Sequence, residues 1–254
     1  MADMIVSLMP QHRIYSEAFS GGANVLIRKA PSVREVLNDL NGEVINFFLQ
    51  LRDNPRRLIR AINLTPFSRK ENIASWNYEG EDPVELARLF YVRSCQSFGG
   101  GGLDHQSGWR FGVHSRSSAI TQWNKTSHLW EVARRLKNVQ IECDDALKVA
   151  TRCDSPETLH YWDPPYVHAT RPKGKNFRGY MHEMTDGQHI AMAQLAYSLK
   201  GMVIISGYRC DLYDELFGTW RRIDVSAKAV NNAKRVESLW FSPSCKVPVQ
   251  TTLF

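Results

Sequence analysis

Arg13-Ile14-Tyr15-Ser16-Glu17-Ala18-Phe19-Ser20-Gly21-Gly22 is the stretch on which the reading of the fold turns. Arg13 to Phe19 reads as a strand, and Gly21-Gly22 supplies the turn through which Ala23 to Ala30 enters a helix. Working outward, Arg34 to Asp39 reads as a second strand. Gly42 to Arg52 follows as a helix whose apolar side carries Val44, Ile45, Phe47, Phe48 and Leu51. This βαβα unit is the signature of a parallel α/β protein.

Beyond residue 54 the alternation breaks. Residues 55–137 contain helical stretches, notably Asp82 to Phe98, where Pro83 suits a first helical position. A polar segment from Gly99 to Ser118 follows it, opening with four consecutive glycines. Alternation resumes with strands at Val139 to Cys143 and Thr158 to Asp163, with a short helix from Asp145 between them. A loop from Val167 to Met184 leads to a helix at Thr185 to Leu199 and an apolar strand at Met202 to Ser206. A short helix at Asp211 to Phe217 and strands at Thr219 to Val225 and Val236 to Phe241 complete a count of about seven strands. The expected organisation is an α/β domain formed by residues 1–54 and 138–254, interrupted by a mostly helical subdomain at 55–137.

Charge follows that division. The chain of 254 residues carries a formal +6. Residues 55–137 hold 13 Lys/Arg against 7 Asp/Glu, or +6, whereas residues 1–54 sum to −1 and residues 138–254 to +1. The whole excess lies in the inserted segment, an asymmetry that a polyanionic partner would explain. Hydrophobic content of 43% and charged content of 23% are those of a soluble globular protein. No apolar run nears the roughly 18 residues that span a bilayer, and no signal peptide is read at Met1 to Pro10, so a cytoplasmic setting is expected. The five cysteines include no Cys-x-x-Cys pair, which argues against both a disulfide framework and a zinc site, and no metal is expected.

Two segments carry chemistry. Glu17 to Gly22 ends the first strand and Asp39 ends the second, about 20 residues on, where an α/β sheet places a nucleoside's backbone contacts and its ribose acceptor. No Gly-Lys-Ser/Thr follows, so a P-loop is not indicated. Gly21-Gly22 serves equally as a plain turn, Asp39 as a cap for the next helix, and Asp144 or Asp145 as a cap for the helix at Ala146. The second segment is Asp163-Pro164-Pro165-Tyr166, directly after the strand Leu159-His160-Tyr161-Trp162. At average usage this tetrapeptide arises by chance in roughly one protein in a thousand of this length.

The two prolines fix the backbone and remove competing N–H donors, so the loop presents oxygen acceptors. The Asp163 carboxylate and the Pro164 carbonyl can each accept one hydrogen of a planar amino group. That draws the nitrogen toward tetrahedral geometry and aims its lone pair at a sulfonium methyl. Tyr166 can stack on a base swung out of a duplex.

These segments resemble the Dam-like class of adenine-specific DNA methyltransferases, phage and prophage members especially. The matching residues are 15–22, 35–41, 161–166, Val203-Ile204-Ile205-Ser206-Gly207-Tyr208 and Glu237-Ser238-Leu239-Trp240-Phe241, in the family's order of cofactor motifs, insert and catalytic loop. The resemblance implies a Rossmann-like seven-stranded sheet that binds S-adenosylmethionine. Glu17 and Phe19 to Gly22 would lie around that cofactor, Asp39 on its ribose and Asp145 near its adenine.

The resemblance further implies double-stranded DNA as partner and the insert as target-recognition domain, with Arg110 and Arg116 as base readers. Arg171, Lys173, Lys175 and Arg178, beyond the catalytic loop, would clamp the backbone or else form a solvated loop. Oligomeric state stays open, a homodimer included. Members usually begin with a Gly-Gly-Lys segment that helps hold the cofactor's methionine part; here Met1 falls just after its place. Ala18 and Ala23 stand where Pro and Gly are common, departures that bear on cofactor affinity. The same acceptor geometry would serve cytosine's amino group, RNA adenine or a glutamine amide, and a DNA-binding module without activity is the other reading.

Overall fold

The computed structural model describes residues 1–97, 108–111, 119–170, 182–228 and 234–246. Seven strands form one sheet in the order β3-β2-β1-β4-β5-β7-β6. They are β1 (Ile14–Glu17), β2 (Arg34–Asn38), β3 (Val139–Glu142), β4 (Thr158–Trp162), β5 (Met202–Gly207), β6 (Arg221–Lys228) and β7 (Lys234–Phe241). β1 runs parallel to β2 and β4, and β4 runs parallel to β5. β7 lies antiparallel between β5 and β6. The expected strands are all present, but β6 and β7 extend further toward each other than their apolar cores suggest, pairing from Arg221↔Phe241 to Lys228↔Lys234. β4 and β5 are buried at every position, as central parallel strands must be.

The chain divides into two compact units. The first comprises Met1–Leu40, Glu142–Lys175 and His182–Phe254. Its helices include α1 (Ala2–Ser7), α2 (Asn24–Arg28), α9 (Ala146–Cys153), α10 (Asp186–Ser198) and α11 (Asp211–Phe217). Met192, Ala193 and Ala196 of α10, with Tyr213 and Phe217 of α11, share a core cluster with Trp162, Val203, Ile205 and Trp240 of the sheet. α10 begins where Thr185 and Gln188 form a reciprocal capping box.

The second unit comprises Asn41–Ile141 and Asn176–Met181. It takes in the span 55–137 and, with it, α3 (Gly42–Asp53). The apolar side of α3 packs against α6 (Pro83–Gln96) and α8 (Ser127–Leu136), with α4 (Pro55–Leu64) against α6 as well. Phe47 stacks on Tyr91 at 5.7 Å and meets Phe90 at 5.6 Å. α6 starts as its sequence predicts, with Asp82 accepting the Val84 N–H and Pro83 in the first turn. α5 (Arg69–Ala74) and α7 (Ala119–Trp123) complete the unit's helices among the described residues; Trp123 donates its indole N–H to the Thr65 carbonyl at 3.0 Å.

Candidate active site

The strand order reverses at β1. From β1 the chain goes outward through β2 to β3, then returns to lay β4 on β1's other side. The carboxyl ends of β1 and β4 therefore flank a topological switch point, where open α/β sheets receive their ligands. Both sequence segments with chemistry end there.

On the β1 side, Glu17 to Ala23 forms a tight turn into α2. The Ala23 N–H donates to the Ser20 carbonyl at 2.6 Å, and the Ser20 N–H to the Asn38 carbonyl at 3.0 Å. Gly21 (φ 45°) and Ala23 (φ 51°) both lie in the left-handed region. A Cβ built at Gly21 would meet nothing within 4 Å, so the backbone there is open to a ligand. Asp39 accepts the Gly21 N–H through Oδ2 at 2.7 Å. It does not cap α3; that role belongs to Asn41, which accepts the Glu43 N–H at 2.9 Å. Ser20 is buried, and its hydroxyl has no hydrogen-bond partner among the described residues. Phe19 packs on the core cluster, half-buried.

Glu17 closes β1. It is buried, and its Oε2 accepts the Tyr15 hydroxyl at 2.7 Å and the Leu26 N–H at 2.9 Å. Ala23 has no side chain able to cap α2, so a carboxyl from the adjoining strand serves instead. Burial pushes the Glu17 carboxyl up to about 8, outweighing the two hydrogen bonds, and Asp163 nearby adds to the rise.

Asn38, fully buried at the end of β2, is a hub that sequence reasoning left without a role. Its amide donates to the carbonyls of Ala18 and Asp144, and its oxygen accepts the Asp144 N–H, each at 3.0 Å. One side chain thus ties the loops after β1, β2 and β3 together. Asp145 caps α9, accepting the Leu147 and Lys148 N–H groups through Oδ1 at 3.1 and 3.0 Å.

On the β4 side, register pairs Trp162 with Ile205, so Asp163 and Ser206 emerge side by side one residue later. Ser206 donates to Asp163 Oδ1 at 2.7 Å, and the Tyr161 hydroxyl lies 3.0 Å from Ser206 Oγ. Asp163 reaches solvent, yet its carboxyl sits among enough protein that loss of hydration raises it to about 6, against the lowering effect of Ser206. Pro164 is buried and Pro165 half-buried, which anchors the loop. The Tyr166 ring centroid lies 4.5 Å from that of Tyr208, inclined at 57°.

This site joins an open glycine turn to a carboxyl at the end of β4 followed by two prolines and an aromatic ring. Residues 1–231, a span that holds both halves, match the family described as D12 class N6 adenine-specific DNA methyltransferase. The chain belongs to that family. Like other members of the D12 class, it methylates the N6 amino group of adenine in DNA. This D12-class enzyme is 24% identical over 251 residues to the Type II methyltransferase M1.LlaDCHI of Lactococcus lactis subsp. cremoris, covering 89% of this chain and 84% of that protein. Among solved structures it is similar to a precorrin 8w decarboxylase from Methanobacterium thermoautotrophicum (TM-score 0.40, 10% identity, 94% of this chain and 87% of that one). An rRNA methylase from Streptococcus thermophilus matches comparably (TM-score 0.38, 8% identity, 94% and 92%).

Of the residues expected to meet DNA, Arg110 is described. It is half-buried, and its N–H donates to the Gln96 carbonyl at 2.7 Å. Its neighbour Trp109 packs on Phe67 and Phe111 and lies under Arg69. Arg116, Arg171, Lys173, Lys175 and Arg178 lie outside the described residues. Among the described residues no cluster of His, Cys, Asp or Glu is placed to hold a metal ion, and no helix is long and apolar enough to cross a membrane. The five cysteines are free thiols.

Proposed function

We propose that this enzyme takes a single adenine out of double-stranded DNA, in the cytoplasm, and that Asp163 and Pro164 hold its amino group during transfer. The Asp163 carboxylate, held by Ser206 beside the switch point, carries this reading. An adenine amino nitrogen is a poor nucleophile because its lone pair is delocalised into the ring. Asp163 Oδ2 and the Pro164 carbonyl each accept one amino hydrogen, which favours the tetrahedral nitrogen of the transition state over the planar ground state. Tyr166, with Tyr208 beside it, offers an aromatic face on which an extrahelical base can stack.

S-adenosylmethionine, when bound, supplies a methyl group made electrophilic by its sulfonium. The residues at the β1 turn suit that molecule. Open space over Gly21, the unpartnered Ser20 hydroxyl and the Asp39 carboxylate fit a nucleoside carrying hydroxyls and a cationic tail. Phe19 and Gly22 belong to the same turn. Glu17 acts beneath it through α2, and Asp145 borders it from the β3 side. Arg110 and Arg116 read bases from the helical unit, which the excess of positive charge in residues 55–137 supports, while Arg171, Lys173, Lys175 and Arg178 hold the backbone near the extruded base.

Asp163→Ala tests the reading. DNA and cofactor should bind with affinities within a few-fold of the parent, while single-turnover transfer falls by several orders of magnitude, because that carboxylate acts mainly in the transition state. Retained turnover would remove Asp163 from its role.

A further inference from the structure

Ser206 has one proton to give. At 2.7 Å its bond to Asp163 Oδ1 is the shortest it makes, whereas the Trp162 carbonyl lies 3.3 Å away. With that proton committed, the Tyr161 hydroxyl at 3.0 Å must be the donor to Ser206 Oγ. Both side chains are buried, Ser206 at 5% exposure and Tyr161 at 3%, on adjacent strands whose register is fixed by the sheet. A directed relay therefore runs from Tyr161 through Ser206 to one oxygen of Asp163.

We propose that Ser206, backed by Tyr161, is a positioning residue of methyl transfer: it occupies Asp163 Oδ1 and so presents Oδ2 alone to the amino group of the target base. The proposal rests on the role given to Asp163 above. A carboxylate's terminal torsion is broad and nearly two-fold, so an untied Asp163 would rotate between orientations, few of which aim an oxygen at an amino hydrogen. A hydrogen bond to a charged group from a buried, rigid strand selects one of them before substrate arrives. The relay crosses from β4 to β5, so the residue that orients the catalytic loop lies some forty positions away in the chain.

The same bond favours the ionised form of Asp163, opposing the rise that burial causes. Removing it should therefore do two things together. Ser206→Ala should lower the single-turnover rate about tenfold to a hundredfold, the range for losing a hydrogen bond to a charged group. It should also move the acid limb of the pH–rate profile to higher pH. Tyr161→Phe should shift both in the same direction by less, and Ser206→Thr, which keeps the hydroxyl, should restore the limb toward its original position.

The experiment is a single-turnover pH series with adenine-containing duplex and saturating cofactor for the parent and these variants, with cofactor and DNA affinities measured alongside. A slower Ser206→Ala with an upward-moved limb and unchanged affinities supports the proposal; should that variant fail to fold, Tyr161→Phe carries the same limb test. An unmoved limb in either, whatever the rate, would overturn it and leave Ser206 a structural residue. Turnover retained by Asp163→Ala would be failure of the underlying catalytic reading instead.

Discussion

The side chain of Asn38 and the backbone of Asp144 hydrogen-bond each other twice, Nδ2 to carbonyl and N–H to Oδ1, both at 3.0 Å. With the third bond, to the Ala18 carbonyl, this buried amide sets the spacing of the loops that end β1, β2 and β3. Asn38→Asp keeps the shape but turns a carboxylate toward two carbonyl oxygens and leaves both without their donor. The expected cost is about 2–4 kcal/mol of stability, with cofactor affinity at least tenfold weaker. Thermal denaturation and calorimetric cofactor titration check this; parental values in both would mean the hub organises nothing.

Asp39 is more exposed, and it accepts the Gly21 N–H. If it also takes cofactor hydroxyls, Asp39→Ala should weaken cofactor binding by about tenfold to a hundredfold, from loss of one or two charge-assisted hydrogen bonds. The melting temperature should move little. A lowered melting temperature with unchanged cofactor affinity would make Asp39 a tie for the turn and nothing more.

Glu17 makes stability depend on pH in a direction opposite to that of a carboxyl whose pKa folding lowers. Its folded value of about 8 exceeds the ordinary 4.5, so between those values the folded state holds the proton that the unfolded chain has released. Stability should therefore fall as pH rises from about 5 to 8 and level off above, a change of order a few kcal/mol. Asp163, raised to about 6, contributes with the same sign over the lower part of that window. Glu17→Gln retains an acceptor for Tyr15 and Leu26 and should be more stable than the parent at pH 8.5 but not at pH 5. Equal denaturation midpoints at pH 8.5 would contradict a raised Glu17 carboxyl.

Ala23 occupies left-handed backbone, buried, at a position where glycine is common in the class it resembles. Removing its Cβ relieves about 1–2 kcal/mol of conformational strain but loosens the unfolded chain and opens a methyl-sized gap. Ala23→Gly should thus fall within about 1 kcal/mol of the parent. Ala23→Val should lose more than about 2 kcal/mol, since a β-branched residue is a true outlier there. Urea denaturation of the pair distinguishes them, and a stable Ala23→Val would show the turn to be adjustable.

Much of the fold was legible because central parallel strands leave plain marks. β1, β2, β4 and β5 appear where short apolar runs end in Gly, Asp or Asp-Pro, and α3, α6 and α10 where a helical period follows. What local pattern does not encode is lateral placement. Nothing in Val236 to Phe241 says that β7 inserts between β5 and β6. Likewise α3 reads as the second helix of a βαβα unit, while its Phe47 packs on Phe90 and Tyr91 of α6.

The site divides along the same line. Asp163 and Asp39 announced themselves by chain position at strand ends, but Ser206 acquires its role only through the β4–β5 register, and Asn38 only through the β2 to β3 crossing. Both lie within segments that match the family, which was the signal available for them. Glu17 was legible as part of its motif, whereas its burial and its bond to the Leu26 N–H of α2 come only from the fold.

The most direct measurement is nucleoside mass spectrometry after one turnover of the full chain with methyl-labelled S-adenosylmethionine on duplex DNA. Label is expected solely in N6-methyl-2′-deoxyadenosine, with its loss by several orders of magnitude in Asp163→Ala while DNA still binds. Label in methylated cytosine, or equal label with and without the Asp163 carboxylate, would contradict that expectation.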